Sequence, residues 1–446
     1  MTLPKKIFVL ALDGTPFSLI KQFIEEGIMP ELQNLVCNSE FKPMQSVLPP
    51  VSSAAWASFF TGQTPAHHGI WGFVDREPST MDWRLYGSDN IKQLTLLTHL
   101  SKHNKRIASI NVPMTSPPYK INGIMVGGFL ENDITRNTYP AALGKMLKAR
   151  GYRIDSEIEL AKNDLHAFLE DLHTVYQKRI NTMWHFWEQS DWDFFMCHIM
   201  ETDRLHHFFW KYLNSGDHSF NQAFKMFYQK IDHLLGQIYK ALDKQTAFMI
   251  LSDHGFTELK KEVNLNRWLQ AQGWLDFDTA NAQSFKAMSA GSKAYSLYPG
   301  RIYINLQGRE KYGSIKSGVE FEQWRQRISH RLYQLKDPET DAPVIKRIYK
   351  NHELMESYLI HKGTTNTTAM PQHIPDLLVT GYDGYEIKGY LSKPQIFDKT
   401  IFNGMHTFDN AFVLTNGLVL PDGPLKITNL AQLIVEYLNL PPMGHI

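Results

Sequence analysis

Short apolar runs that stop abruptly at a polar residue or a glycine constrain this chain more than any other feature. They are Ile7–Leu12, Ile107–Val112, Ile124–Phe129, Phe194–Met200, Ala247–Leu251, Leu377–Thr380 and Phe412–Leu414. Each has strand length and little alternation, which is the pattern of strands covered on both faces. Amphipathic segments lie between them. In Phe220–Leu242, the residues Phe220, Phe224, Phe227, Ile231, Leu234, Leu235, Ile238 and Leu242 recur at the spacing of one helical face. That segment leads into the Ala247–Leu251 run, predicting a helix followed by a strand. The alternation predicts an α/β fold, a largely parallel sheet with covering helices. Between residues 257 and 375 the pattern loosens into Gly, Ser and Pro clusters around one clear strand, Ile302–Leu306. The reading is a core built from 1–256 and 376–446, with a smaller subdomain inserted at 257–375.

Composition narrows the chemistry. With 446 residues, 43% of them apolar, the chain has ample material for a large core. Lys+Arg number 46 against 45 Asp+Glu, so no global field exists to hold a nucleic-acid polymer or an anionic membrane. An anionic substrate must be captured locally. The two cysteines, Cys37 and Cys197, suggest neither a disulfide framework nor a thiolate metal knot, and a reducing compartment fits. The run after the N-terminal lysines is too short for a signal segment, and no stretch has the length of a membrane span. The expected location is cytoplasmic, although export without a cleaved signal would leave no trace.

In sheets of this type ligands gather beyond the carboxyl ends of the strands. Asp13 closes the first run, Asp203 follows Phe194–Met200, and Asp253-His254 closes Ala247–Leu251. Asp203 and His207 stand at i and i+4, on one face of a helix. His406 follows Gly404, which permits a tight turn. Three Asp and three His supply the oxygen and nitrogen donors expected for zinc or manganese with open coordination positions. Ser52 follows Pro49-Pro50-Val51 and opens a segment of helical character, where unpaired amides and the helix dipole favour an alkoxide and a phosphoryl group. Taken singly, Ser52 reads as a helix cap, Asp13 as a turn former and His207 as a half-buried histidine. Their order and their placement at strand ends argue for a site. His67, His166, His173, His185, His198 and His233 lack such context and are assigned to packing.

These residues resemble the alkaline phosphatase superfamily, in its type I phosphodiesterase and nucleotide pyrophosphatase branch. The resemblance runs through Leu10-Ala11-Leu12-Asp13-Gly14, Pro50-Val51-Ser52 with Thr61-Gly62, Pro65-Ala66-His67-His68-Gly69-Ile70, Thr202-Asp203-Arg204 with His207, Ser252-Asp253-His254-Gly255-Phe256, and Gly404-Met405-His406. Asn111-Val112-Pro113-Met114-Thr115 is similar to bacterial phosphohydrolase or phosphomutase members. The resemblance implies a three-layer α/β/α sandwich with the inserted subdomain shaping the substrate pocket. It implies two divalent metal ions, Zn2+ or Mn2+, one held by Asp203, His207 and His406, the other by Asp13, Ser52, Asp253 and His254. Counting back from Thr61-Gly62 selects Ser52 over Ser53 as nucleophile. Ala54 and Trp56 occupy the positions where sulfatases require Pro and Arg, so sulfatase chemistry is disfavoured.

Two departures bear on substrate. Phe73 stands where the branch places a phosphate-contacting Asn, and no Arg follows Ser52 before Arg76. The first argues against nucleotide specificity, and the second, by removing the clamp a terminal phosphate would need, tilts the reading weakly towards diesters. Phe73, Arg76, Asn111 and Tyr298 are the candidate substrate contacts, with Tyr295 and Arg301 as further wall residues and Trp56 and Trp71 as candidate stacking platforms. The expected activity is hydrolysis of a small phosphate ester through a phosphoseryl intermediate. Phosphomonoesterase, phosphomutase or phosphotransferase, and carbon–phosphorus hydrolase are the enzymatic alternatives, and a catalytically silent metal- or partner-binding protein is the non-enzymatic one. Oligomeric state leaves no sequence signal.

Overall fold

Five of the apolar runs form the parallel heart of a nine-stranded sheet in the computed structural model, which describes residues 5–189, 191–213, 218–277, 284–355 and 371–444. The sheet order is Leu425–Lys426, Glu40–Gln45, Ala411–Asn416, Thr246–Leu251, Lys6–Leu12, Phe194–Ile199, Ile107–Val112, Gly123–Gly127 and Thr138–Tyr139. The strands from Thr246–Leu251 to Gly123–Gly127 run parallel, while Ala411–Asn416 is antiparallel to both of its neighbours. Lys6–Leu12 sits between Thr246–Leu251 and Phe194–Ile199, and every residue from Ile7 to Leu12 is fully buried. Burial on both faces is why this run shows no period-two alternation.

Helices cover both faces. Phe8, Leu10 and Leu12 pack into a core shared with Phe17–Glu25, Leu165–Gln189 and His218–Ala241. The last of these is the predicted amphipathic helix, with Phe224, Phe227, Ile231, Leu235 and Ile238 fully buried. On the opposite face the Ser52–Thr61 helix rests Trp56 against His198, with ring centroids 5.2 Å apart. The architecture is therefore the expected α/β fold with a large, mostly parallel central sheet. Among the described residues, no helix is long and apolar enough to cross a membrane.

The chain divides into two units. The first comprises Met1–His68, Gly87–Thr257 and Ile401–Ile446, and holds the nine-stranded sheet; the second comprises Gly69–Tyr86 and Glu258–Thr400. The second unit thus differs from the expected 257–375 insertion by running on to 400 and by taking in a hairpin, Val74–Glu77 with Asp82–Leu85. Strand pairing explains the difference. Leu377–Gly381 is a strand as predicted, but it pairs antiparallel with Arg301–Ile304 and Ile345–Lys350. Tyr385–Lys388 then pairs parallel with Lys261–Asn264, binding the segment after 376 to this unit. The unit has its own core, including Leu265, Trp268, Tyr295, Ile302, Tyr303, Ile328 and Leu377.

Candidate active site

Four chain segments deliver polar side chains to the carboxyl ends of the central strands, all within the first unit. Asp13 leaves Lys6–Leu12 with its N–H donating to Ile199 O at 3.1 Å. Gly14 follows at φ +62°, and its N–H donates to Asp253 Oδ1 at 3.1 Å. A Cβ on Gly14 would stand 3.0 Å from His254 Cε1 and from the Phe256 ring, so both conformation and space call for glycine there. Phe194–Ile199 feeds directly into the helix Glu201–Phe209, which carries Asp203 and His207 one turn apart. Thr246–Leu251 ends at Ser252, placing Asp253 and His254 fully buried in the following turn. His406 lies on Gly404–Thr407, a strand paired with Gly255–Glu258.

The side chains converge in two adjoining groups. Asp13, Asp253 and His254 form one, and Asp203, His207 and His406 the other, with the donor atoms of each group within 4.8 Å of one another. The His254 and His406 rings stack at 3.8 Å between centroids and join the two. Ser52 opens its helix without using its hydroxyl as a cap, and the first intrahelical bond is Ala55 N–H to Val51 O. The amides of Ser52, Ser53 and Ala54 therefore precede the ladder at the positive end of the helix dipole. Ser52 Oγ lies 3.4 Å from Asp13 Oδ1 and 3.3 Å from His254 Nε2.

Each imidazole is oriented from behind. The Nδ1–H groups of His207, His254 and His406 donate to Gly404 O, Gly255 O and Pro50 O at 3.0, 3.1 and 3.1 Å. This tautomer aims all three Nε2 lone pairs into the site. His207 Nε2 and His406 Nε2 face each other at 3.0 Å, and Asp203 Oδ1 lies 3.1 Å from His406 Nε2. Lone pairs so close are stabilised by a shared cation. In the other group, Asp253 Oδ2 is buried with no hydrogen-bond partner among the described residues. Three carboxylates and three imidazoles with this orientation fit a pair of divalent cations, in borderline N/O donor sets suited to zinc or manganese.

The electrostatics agree. Burial works against the charge on Asp203, but His207, His406 and Arg204 hold its carboxyl well below the usual range. Burial also opposes Asp13, which the hydrogen bond from His198 nevertheless brings below its ordinary value. Asp253 goes the other way: burial, then the charge of Asp13, push it well above the usual range. Burial, then the neighbouring His406, lower His254 to about 3 and keep its imidazole neutral.

Other predicted contacts are placed elsewhere or already engaged. Arg76 belongs to the second unit, where it donates to Tyr295 OH at 2.8 Å and Gln372 O at 3.1 Å and stacks 3.5 Å over Tyr303. That guanidinium holds a buried ion cluster with Asp75 and Glu310. Asn111 is fully buried, donating to Ile154 O at 3.3 Å and accepting from Tyr152 OH at 3.2 Å, and so supports the strand end. Tyr298 donates to Glu386 Oε1 at 3.0 Å under Lys388 in the second unit, where Phe73 also lies with its carbonyl accepting from Tyr86 N–H. Tyr295 and Arg301 are fully buried members of that same ion cluster. Trp56 and Trp71 are buried as well, so neither ring is exposed for stacking.

Two residues near the site carry roles that sequence reading missed. His198, assigned to packing, holds Asp13 Oδ2 at 2.7 Å. Arg204 donates to Asp203 Oδ2 at 2.9 Å and is itself clamped by Asp155 at 2.7 Å. The available signal for His198 was a polar residue inside the otherwise apolar strand Phe194–Ile199.

A mostly parallel sheet with this cluster at its carboxyl edge defines an alkaline phosphatase-like α/β protein. The chain belongs to the type I phosphodiesterase/nucleotide pyrophosphatase family, whose model matches residues 7–409. It is thereby a hydrolase of the phosphoesterase type. No curated protein matches it. Among solved structures, phosphonoacetate hydrolase from Sinorhizobium meliloti 1021 in complex with phosphonoacetate matches with TM-score 0.63 at 14% identity, over 98% of this chain and 96% of that one. Murine ectonucleotide pyrophosphatase/phosphodiesterase 5 matches with TM-score 0.58 at 13% identity, over 99% and 97%. The human form of the latter matches with TM-score 0.58 at 12% identity, again over 99% and 97%.

Proposed function

We propose that this protein hydrolyses a small phosphodiester through a phosphoseryl intermediate on Ser52. The observation that carries this reading is Ser52 Oγ at a helix N-terminus, within 3.4 Å of Asp13 Oδ1 and 3.3 Å of His254 Nε2. Asp13, Asp253 and His254, with Ser52, would hold one divalent cation, and Asp203, His207 and His406 the other. When bound, such ions supply Lewis-acid charge that favours the serine alkoxide and the departing oxygen.

The remaining work falls to the chain itself. Ser52 Oγ loses its proton to solvent and attacks phosphorus, forming the Oγ–P bond as the bond to the leaving oxygen breaks. The amides of Ser53 and Ala54 are placed to donate to phosphoryl oxygens as negative charge builds. The leaving alkoxide takes a proton from water. A water molecule then attacks the phosphoserine, forming a new P–O bond, and the P–Oγ bond breaks with return of a proton to Ser52. The product keeps one ester group and leaves as a monoester.

The diester preference rests on charge. Arg204 already serves Asp155 and Asp203, and Arg76 lies in the buried cluster of the second unit, so neither side chain is held ready for a dianionic phosphate. Comparing bis-p-nitrophenyl phosphate with p-nitrophenyl phosphate tests the preference, and faster turnover of the monoester overturns it. Acid quench during turnover, followed by peptide mass analysis, is expected to find a phosphoryl adduct on the peptide containing Ser52. Phosphonoacetate, the compound for which one structural neighbour is named as a hydrolase, tests carbon–phosphorus cleavage in the same assay.

A further inference from the structure

We infer that His198 is a positioning residue for the Asp13 centre, a buried donor that fixes which carboxylate oxygen faces the serine and its cation. The inference rests on reading Asp13 as a metal ligand. Three contacts pin Asp13. Its N–H donates to Ile199 O at 3.1 Å, its carbonyl accepts from Thr202 Oγ1 at 2.7 Å, and its Oδ2 faces His198 Nε2 at 2.7 Å. The first two hold the backbone, and the third, much shorter than the 3.4 and 3.5 Å contacts of Oδ1 with Ser52 and His254, holds the rotation of the carboxylate.

Sheet register makes the third contact possible. His198 pairs with Ala11 across parallel strands, two residues before Asp13, and its side chain is fully buried on the face occupied by Trp56. The proton sits on Nε2, because an unprotonated Nε2 would press a lone pair against the Asp13 oxygen. A proton on Nδ1 would also leave a donor stranded, since Nδ1 has no hydrogen-bond partner among the described residues. With Oδ2 held in this way, Oδ1 is the oxygen presented to Ser52 Oγ and to His254 Nε2, at 3.4 and 3.5 Å. The Asp203 centre has a matching device in Arg204, which holds Asp203 Oδ2 at 2.9 Å and leaves Oδ1 to the two histidines. Each carboxylate is thus anchored through one oxygen and offered through the other.

The test uses the full chain stripped with EDTA and titrated with Co2+, read by d–d absorption. The parent carries His207→Ala, which disables the Asp203 centre and leaves the Asp13 centre to report alone. His198→Phe, which keeps a ring against Trp56 but removes the donor, is expected to weaken Co2+ binding by about 10–100-fold, the usual effect of losing a ligand-orienting partner. His198→Gln, whose amide donates from a similar place, is expected to recover most of the affinity. Circular dichroism of the metal-free variants confirms that each is folded. Parent-like binding by folded His198→Phe overturns the inference and leaves the metal reading standing, as does Gln performing no better than Phe. A parent that binds no Co2+ sinks the metal reading itself, and this inference with it.

Discussion

Asp253 shows at the scale of one residue what the site needs. Its Oδ2 is buried without a hydrogen-bond partner among the described residues, and burial together with the charge of Asp13 pushes its carboxyl above the ordinary 3.8. A carboxyl raised in this way stabilises the metal-free fold at low pH, and that contribution is lost as pH rises through the folded value. Asp253→Asn is therefore expected to raise the melting temperature of EDTA-stripped protein at neutral pH by a few degrees while abolishing its gain on adding Zn2+. Equal melting of stripped mutant and wild type, with an intact zinc response, would contradict this. Ser52→Ala is expected to keep bound metal, measured by elemental analysis, yet lose on the order of a thousandfold or more in turnover. Asp13, Asp203, Asp253 and His254 stood out in the sequence because each follows an apolar run, His207 by its spacing from Asp203, Ser52 by its place after Pro49-Pro50-Val51, and His406 by its place after Gly404. His198 did not, because its bond to Asp13 depends on register between two strands, which neither strand encodes alone.

Elements position the site through close backbone approach. A Cβ on Gly404 would fall 2.4 Å from His206 O and 2.5 Å from the Phe256 ring, while Gly404 O accepts from His207 Nδ1. Gly404→Ala must push the Gly404–Thr407 strand away from the helix Glu201–Phe209. The expected cost is about 1–3 kcal/mol in stability, as for overpacked cores, with loss of metal from the Asp203 centre. Denaturant unfolding and metal analysis check both, and wild-type values for each would refute the mechanism. The buried strands were readable because length and apolarity suffice to mark them. Glu40–Gln45, with Glu, Lys and Pro in six residues, escaped notice because it lies near the sheet edge, where strands tolerate polar residues. Leu377–Gly381 was recognised as a strand but assigned to the core, since an apolar run does not name its partner.

For the whole molecule, metal binding and stability should be one property. Six charged or imidazole side chains from segments nearly four hundred residues apart meet only in the folded state, so cations bound there stabilise it by mass action. EDTA treatment is expected to lower the melting temperature, and saturating Zn2+ or Mn2+ to restore it by roughly 3–4 kcal/mol if the ion is present at a hundred to a thousand times its Kd. Calorimetry decides this, and identical melts before and after stripping would count against the pair of cation sites. The two-unit division was only partly legible, because the loosened pattern after 257 marked where the second unit resumes but not the strand pairings that carry it to 400.

The placement of that second unit also orders events at the ribosome. The chain quits the first unit after Thr257 and rejoins it at Ile401, so residues 258–400 must be synthesised before His406 and the Ala411–Asn416 strand emerge. Until then the nascent chain carries its serine and five of its six charged or imidazole donors but lacks one ligand of the Asp203 centre and a neighbour for Thr246–Leu251. The proposed site is therefore assembled only after the whole 258–400 stretch of the second unit has been made.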